Sequence, residues 1–309
     1  MLIMKLLLTG AFNYCEEQLD GLKSQGYEIL FVQDERIPLK VDVSDVDAVV
    51  CNALFLFNDI KKFKNLKIIQ LTSAGLDRVP LDYIKENRIS LFNAKGVYSI
   101  PMAEWVVLKI LEIYKKSRVF YEAQREHQWN KQRELLELTG RTASIIGYGD
   151  VGKEIAKRLK GFDVKVIGVG RRSLECQFID DFYLVDELEN VLKMSDIVIL
   201  TLPLTHQTNN LIDSDKLVMM KNNSILVNVS RGGIIEEDSL IETLKEGKFL
   251  GVALDVFEEE PLKEDSRLWN CNRVIITPHN SFVSNKTSKR LFETILKNLV
   301  DFKINLTEK

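Results

Sequence analysis

From end to end the chain alternates short, continuously apolar runs with longer amphipathic stretches. Strands that read as unbroken apolar runs are buried on both faces, which happens in parallel sheets covered by helices. The predicted strands are Leu2–Thr9, Glu28–Val32, Ala48–Cys51, Lys67–Leu71 and Ile89–Phe92, then Ala143–Gly147, Val164–Val169, Ile197–Leu202, Ser224–Val229, Gly251–Val256 and Val274–Ile276. Segments of helical period lie between them, among them Tyr14–Ser24, Leu81–Glu86, Val151–Lys160, Leu188–Met194, Asp215–Met220 and Glu237–Glu246. Repeated strand–helix units predict an α/β fold built on a doubly wound parallel sheet, twice over. A chain of 309 residues also exceeds the ~250–300 at which one core stops growing, so two domains are expected. Pro101–Tyr121 reads as one long helix between the two sets, and Ser284–Phe302 as a final amphipathic helix.

Composition removes several classes. Lys and Arg number 42 against 45 Asp and Glu, a formal charge of −3, which excludes a strongly basic nucleic-acid footprint. No apolar run approaches the ~18 residues of a membrane span, and the apolar start lacks a basic leader. Cys15, Cys51, Cys176 and Cys271 are scattered without a C-x-x-C, so neither disulfides nor structural zinc are expected and a reducing cytoplasm fits. Three histidines in the chain give no basis for a multi-His metal site.

One turn carries chemistry. Ile145-Ile146-Gly147-Tyr148-Gly149-Asp150-Val151-Gly152 is a G-x-G-x-x-G that follows an apolar strand and opens a helical pattern. In that setting Gly147 permits the tight turn, Gly149 lets the backbone approach a pyrophosphate, and Gly152 lets the helix pack on the strand. The N–H groups at the helix start would hold the phosphates. A cofactor without a 2′-phosphate usually meets a carboxylate about 20 residues further on. Here the second strand ends in Gly170-Arg171-Arg172, with no acid at its tip. Two guanidinium groups suit a phosphate, so NADP is the expected cofactor and NAD the alternative.

Three later segments place polar residues just after strands, where open α/β sheets bind ligands: Asn228-Val229-Ser230-Arg231-Gly232, Asp255-Val256-Phe257-Glu258-Glu259-Glu260-Pro261, and Thr277-Pro278-His279-Asn280-Ser281. With these motifs in order, the chain resembles the D-isomer-specific 2-hydroxyacid dehydrogenases of the formate/glycerate dehydrogenase superfamily. The resemblance covers essentially the whole length and is strongest from Leu138 to Ser281.

It implies a Rossmann cofactor domain, 99–283, inserted into a flavodoxin-like substrate domain formed by 1–98 and 284–309. Pro101–Tyr121 and Ser284–Phe302 would be hinge helices, and the chain would form a homodimer. Arg231 would bind the substrate carboxylate and polarise the 2-oxo group. His279 would exchange a proton with the carbonyl oxygen, and Glu260 would pair with it, since a nearby anion favours imidazolium. Asp255 would lie near the nicotinamide carboxamide. The resemblance extends the cofactor set to Tyr148, Asp150, Val151, Leu202, Pro203, Thr208, Val229, Ser230 and Ser281. The substrate would meet Ser73, Ala74 and Gly75, with Leu54 and Phe55 from the loop after the third strand.

The implied reaction moves a hydride between NAD(P)H and a 2-oxo acid to give a D-2-hydroxy acid. Glutamate at 260, where formate dehydrogenases of the superfamily carry glutamine, argues against formate. Asn52, Leu54 and Phe55 offer no cation, which favours an uncharged tail over a phosphate; hydroxypyruvate and glyoxylate fit. A phosphoglycerate-dehydrogenase-like enzyme and a non-catalytic dinucleotide-sensing module are the rival readings. Trp129 reads as a packing residue and His127 as a surface or interface residue. No nucleic-acid, membrane or metal partner is expected.

Overall fold

The computed structural model describes residues 3–172 and 176–307, with the side chain of residue 307 left aside. Leu2, the first residue of the predicted first strand, lies outside them. The chain divides into two compact units, Met1–Tyr98 with Ser284–Lys309, and Ser99–Val283.

The first unit holds β1 (Met4–Thr9), β2 (Tyr27–Val32), β3 (Ala48–Cys51), β4 (Ile68–Leu71) and β5 (Ser90–Phe92), all parallel, in the spatial order β2-β1-β3-β4-β5. That order is flavodoxin-like, with its switch point between β1 and β3. Successive side chains of a strand point to opposite faces, and here both faces are apolar. Leu6 and Leu8 pack against Leu291, Ile295 and Leu299 of the helix Thr287–Thr307, while Leu7, Val49 and Ile69 pack against Val46, Phe63 and Ile84 on the other side. The helix is tied down at its far end as well: the Tyr27 hydroxyl donates to the Leu299 carbonyl at 2.9 Å, and Lys303 Nζ to that of Gln25 at 2.6 Å.

The second unit holds β6 (Thr142–Ile146), β7 (Lys165–Gly170), β8 (Asp181–Leu184), β9 (Ile197–Leu200), β10 (Ser224–Asn228), β11 (Phe249–Leu254) and β12 (Val274–Ile276). All are parallel, in the order β12-β11-β10-β9-β6-β7-β8. This is the Rossmann order with one strand added, and the switch point falls between β6 and β9.

Two expectations are corrected. β8 has no counterpart among the predicted strands, because Asp181-Phe182-Tyr183-Leu184 is a half-buried edge strand rather than an unbroken apolar run. Pro101–Tyr121 is not one helix but two, Ser99–Tyr114 and Ser117–Arg125. The break is at Lys116, which takes the left-handed conformation at φ 50°. The first helix is anchored by Ala103, Val106, Ile110 and Tyr114, whereas the polar run Lys115-Lys116-Ser117-Arg118 supplies nothing to bury and the second helix buries no residue. Among the described residues no helix is long and apolar enough to cross a membrane.

Candidate active site

In the second unit the turn after β6 has the shape its glycines dictate. Gly147 adopts φ 92°, and a Cβ there would stand 2.5 Å from that of Leu202, so only glycine fits. A Cβ at Gly152 would meet Ile145 Cγ2 at 3.0 Å, where the helix Asp150–Lys160 lies close on its strand. Gly149 differs: a Cβ there would meet only the Gly147 carbonyl, at 3.8 Å. Protein packing does not require glycine at 149, and the space beside it is open at the start of an 11-residue helix. These residues fit a dinucleotide pyrophosphate, which needs backbone approach and helix N–H groups. Tyr148 turns inward, its hydroxyl donating to Cys176 Sγ at 2.8 Å; burial raises its phenol above the ordinary range. Its main-chain N–H is also taken, by the Val169 carbonyl at 3.1 Å.

The loop after β9 is closed on itself. The Thr208 hydroxyl donates to the Pro203 carbonyl at 2.7 Å and accepts from Thr205 N at 2.8 Å. At the tip of β7, Arg171 and Arg172 are exposed, with no carboxylate within 4 Å among the described residues.

The ends of β10, β11 and β12 lie side by side, because Asn228 is in register with Leu254 and Leu254 with Ile276. Arg231 and His279 each stand three residues beyond that line. Asn228, missed in the sequence, organises the first loop: its Oδ1 accepts from Ser230 N at 3.0 Å and Ser230 Oγ at 2.8 Å, and its Nδ2 donates to the Arg231 carbonyl at 2.9 Å. Arg231 Nη1 donates to the Ser230 carbonyl at 2.8 Å. At Gly232 a Cβ would fall 1.8 Å from the Phe257 carbonyl carbon, so the 231–232 and 257–258 backbones touch.

Asp255 is fully buried and braces the third loop. Its carboxylate accepts from Thr277 Oγ1 at 2.5 Å, Asn280 N at 2.8 Å and Ser281 N at 3.0 Å, while its carbonyl accepts from His279 N at 2.8 Å. That scaffold holds His279 in the left-handed conformation, φ 49°, with its ring edge-on to Phe282. His279 Nδ1–H donates to Glu260 Oε2 at 2.8 Å, and Glu260 Oε1 accepts from Phe257 N at 3.1 Å. Nδ1 is thereby engaged, and Nε2 has no protein partner among the described residues. Both side chains are about one-third exposed, so the pair's value lies in orientation rather than in stability.

In the first unit, β3 and β4 are neighbours and their loops share one sheet edge. Ser73 Oγ donates to the Gly75 carbonyl at 3.0 Å, and the amides of Ala74 and Gly75 have no protein acceptor among the described residues. Leu54 is a correction: its side chain is fully buried with Val43, Val46 and Ile60, so it offers no substrate-facing surface. Phe55 stays half-buried against Phe63. Trp129 is a second correction: it is 91% exposed and packs no core of its own chain.

The family profile described as D-isomer specific 2-hydroxyacid dehydrogenase, NAD binding domain, matches residues 107–281. A glyoxylate reductase from Thermofilum pendens is 32% identical over 272 residues, 84% of this chain and 79% of that one. A D-3-phosphoglycerate dehydrogenase from Methanocaldococcus jannaschii is 33% identical over 260 residues, 82% of this chain. The match spans about half (49%) of that relative's length. Among solved structures, a glyoxylate reductase from Paecilomyes thermophila superposes with a TM-score of 0.84 at 26% identity, covering 97% of this chain and 95% of that one. Sheet order and the turn after β6 define a nicotinamide-dinucleotide-binding α/β protein. The chain belongs to the D-isomer specific 2-hydroxyacid dehydrogenases, and by class it is an oxidoreductase.

Proposed function

We propose that the chain reduces a small 2-oxo acid to the D-2-hydroxy acid, with NADPH preferred over NADH. The observation that carries this reading is the 2.8 Å His279–Glu260 pair at the strand edge that also bears Arg231. Held at the turn 147–152, a nicotinamide dinucleotide would supply the chemistry of hydride exchange with C2 of the substrate. His279 gives a proton to the carbonyl oxygen in reduction and takes one back in oxidation, and Glu260 holds the ring in place through Nδ1. Arg231 holds the substrate carboxylate through its fork. In the first unit, the amides of Ala74 and Gly75 offer donors to an anionic group.

Support for NADPH comes from Arg171 and Arg172, which are exposed and unpaired by acids among the described residues. The test follows loss of reduced nicotinamide with glyoxylate and hydroxypyruvate. kcat/KM with NADPH should exceed that with NADH by about 10-fold or more, and the double variant Arg171→Ser/Arg172→Ser should abolish the preference. Equal or faster rates with NADH in the parent protein would remove this preference.

A homodimer is proposed on a separate observation. The helix Ser117–Arg125 has no buried residue, and Val119, Phe120, Tyr121 and Trp129 are exposed along it and the segment that follows. Exposed aromatic residues in one stretch of chain are what a partner surface is made of. Light scattering should give twice the 35.5 kDa chain mass, and Trp129→Glu with Phe120→Glu should halve it. A single-chain mass for the parent protein would refute the dimer.

A further inference from the structure

The sequence offered no cation in the loop after β3, but the fold brings one from the loop after β4. Arg78 reaches across the shared edge and donates through Nη1 to Asn52 Oδ1 at 3.0 Å. Asn52 can serve as an anchor because its own backbone is pinned. Its N–H and that of Ala53 donate to the carboxylate of Glu35, a buried residue of the loop after β2. Glu35 in turn accepts from the Thr9 hydroxyl, at the end of β1, at 2.6 Å. The ends of β1 to β4 thus run through one chain of hydrogen bonds that stops at a guanidinium.

This arginine is held differently from the ion-paired Arg267. Arg267 is paired with Asp238 and Glu242, while Arg273 gives one nitrogen, Nη1, to two backbone carbonyls at 2.8 and 2.6 Å. Arg78 is half-buried and bound to a single neutral oxygen. Among the described residues no carboxylate lies within 4 Å of it, and its remaining N–H groups have no protein acceptor. A partly desolvated, pre-aimed fork with an uncompensated charge is built for a planar or tetrahedral oxyanion.

We propose that Arg78 is a specificity-determining residue that pairs with a second anionic group, carboxylate or phosphate, at the far end of the 2-oxo acid. The proposal rests on the reading above that the loops after β3 and β4 receive the substrate. It replaces the expectation of an uncharged tail, which considered the cations of one loop only. The tail is remote from the reacting carbon, so the interaction is uniform binding and belongs in KM rather than kcat.

The test compares glyoxylate, pyruvate and hydroxypyruvate with 2-oxoglutarate, oxaloacetate and 3-phosphohydroxypyruvate, in the parent protein and in Arg78→Gln and Arg78→Lys. Glutamine keeps an amide donor toward Asn52 and removes the charge. The parent should favour either the dicarboxylates or the phosphate ester, which identifies the source of the anion. In Arg78→Gln the ratio of kcat/KM for dianionic over monoanionic substrates should fall about 10–100-fold through KM, with partial recovery in Arg78→Lys. An equal fall for every substrate, or an unchanged ratio, would make Arg78 a brace and overturn the proposal. Turnover of monoanions with no preference for dianions overturns it too, while the reductase reading stands. If no 2-oxo acid is turned over, that reading fails, and calorimetry with 2-oxoglutarate and oxidised cofactor decides for Arg78. Binding that Arg78→Gln loses supports the role, and no binding, or equal binding, ends it.

Discussion

Replacing His279 by alanine should lower turnover about 10²–10⁴-fold, the usual contribution of a positioned acid–base group. The effect should fall on kcat, with NADPH affinity, read by fluorescence titration, held near the parent's. The separation is expected because the imidazole belongs to the loop after β12, whereas the glycine turn follows β6, with three strands between them in the sheet order. The loop itself should survive the change: Asp255 holds it through Thr277, Asn280, Ser281 and the main chain of residue 279, and none of these bonds uses the ring. Parent-like turnover in His279→Ala would show that the proton comes from elsewhere.

Gly232→Ala should damage stability and activity together. The added methyl would sit 1.8 Å from the Phe257 carbonyl carbon, 2.0 Å from its oxygen and 2.2 Å from Glu258 N. Those are backbone atoms and cannot swing aside, so the two loops must part. Overpacking of a well-fitted site typically costs about 1–3 kcal/mol, and a contact this close belongs at or above the top of that range. Parting the loops also moves Arg231 away from the Phe257 N–H that steadies Glu260. Gly233→Ala is the control, since a Cβ there would meet Asn209 Oδ1 at 3.4 Å, an ordinary distance. Thermal melts and kcat/KM of the pair check this. A Gly232→Ala protein that melts and turns over like its Gly233→Ala sibling would show that the loops do not touch.

Much of the architecture was readable because buried parallel strands leave unbroken apolar runs. β3 (Ala48–Cys51), β12 (Val274–Ile276) and the helices Leu81–Glu86 and Leu188–Met194 have the bounds their pattern predicts. β8 was not readable, since an edge strand buries only part of its surface and its pattern is diluted. The break at Lys116 was hidden because no glycine or proline marks it; the only trace is a run of polar residues after Tyr114. The turn after β6 was legible because glycine spacing encodes backbone geometry directly. The roles of Asn228 and Asp255 as loop braces were not, because they depend on which main-chain N–H groups the fold brings near. Leu54 shows the same limit at short range: the pattern places it in the loop after β3 but does not say that it faces the core. Arg78 and Asn52 are 26 positions apart, and only the adjacency of β3 and β4 makes them partners.

The first unit is assembled from two stretches of chain separated by the whole second unit, and this bears on how the protein is made. On the ribosome, domains usually fold in the order they emerge. Here one face of the five-stranded sheet, with Leu6 and Leu8, waits for Leu291, Ile295 and Leu299, which are synthesised only after the whole second unit. The inserted unit can close while the earlier strands still lack their cover. The nascent chain therefore carries an open apolar sheet face while the whole second unit is made, the period in which a chaperone would have the most to hold.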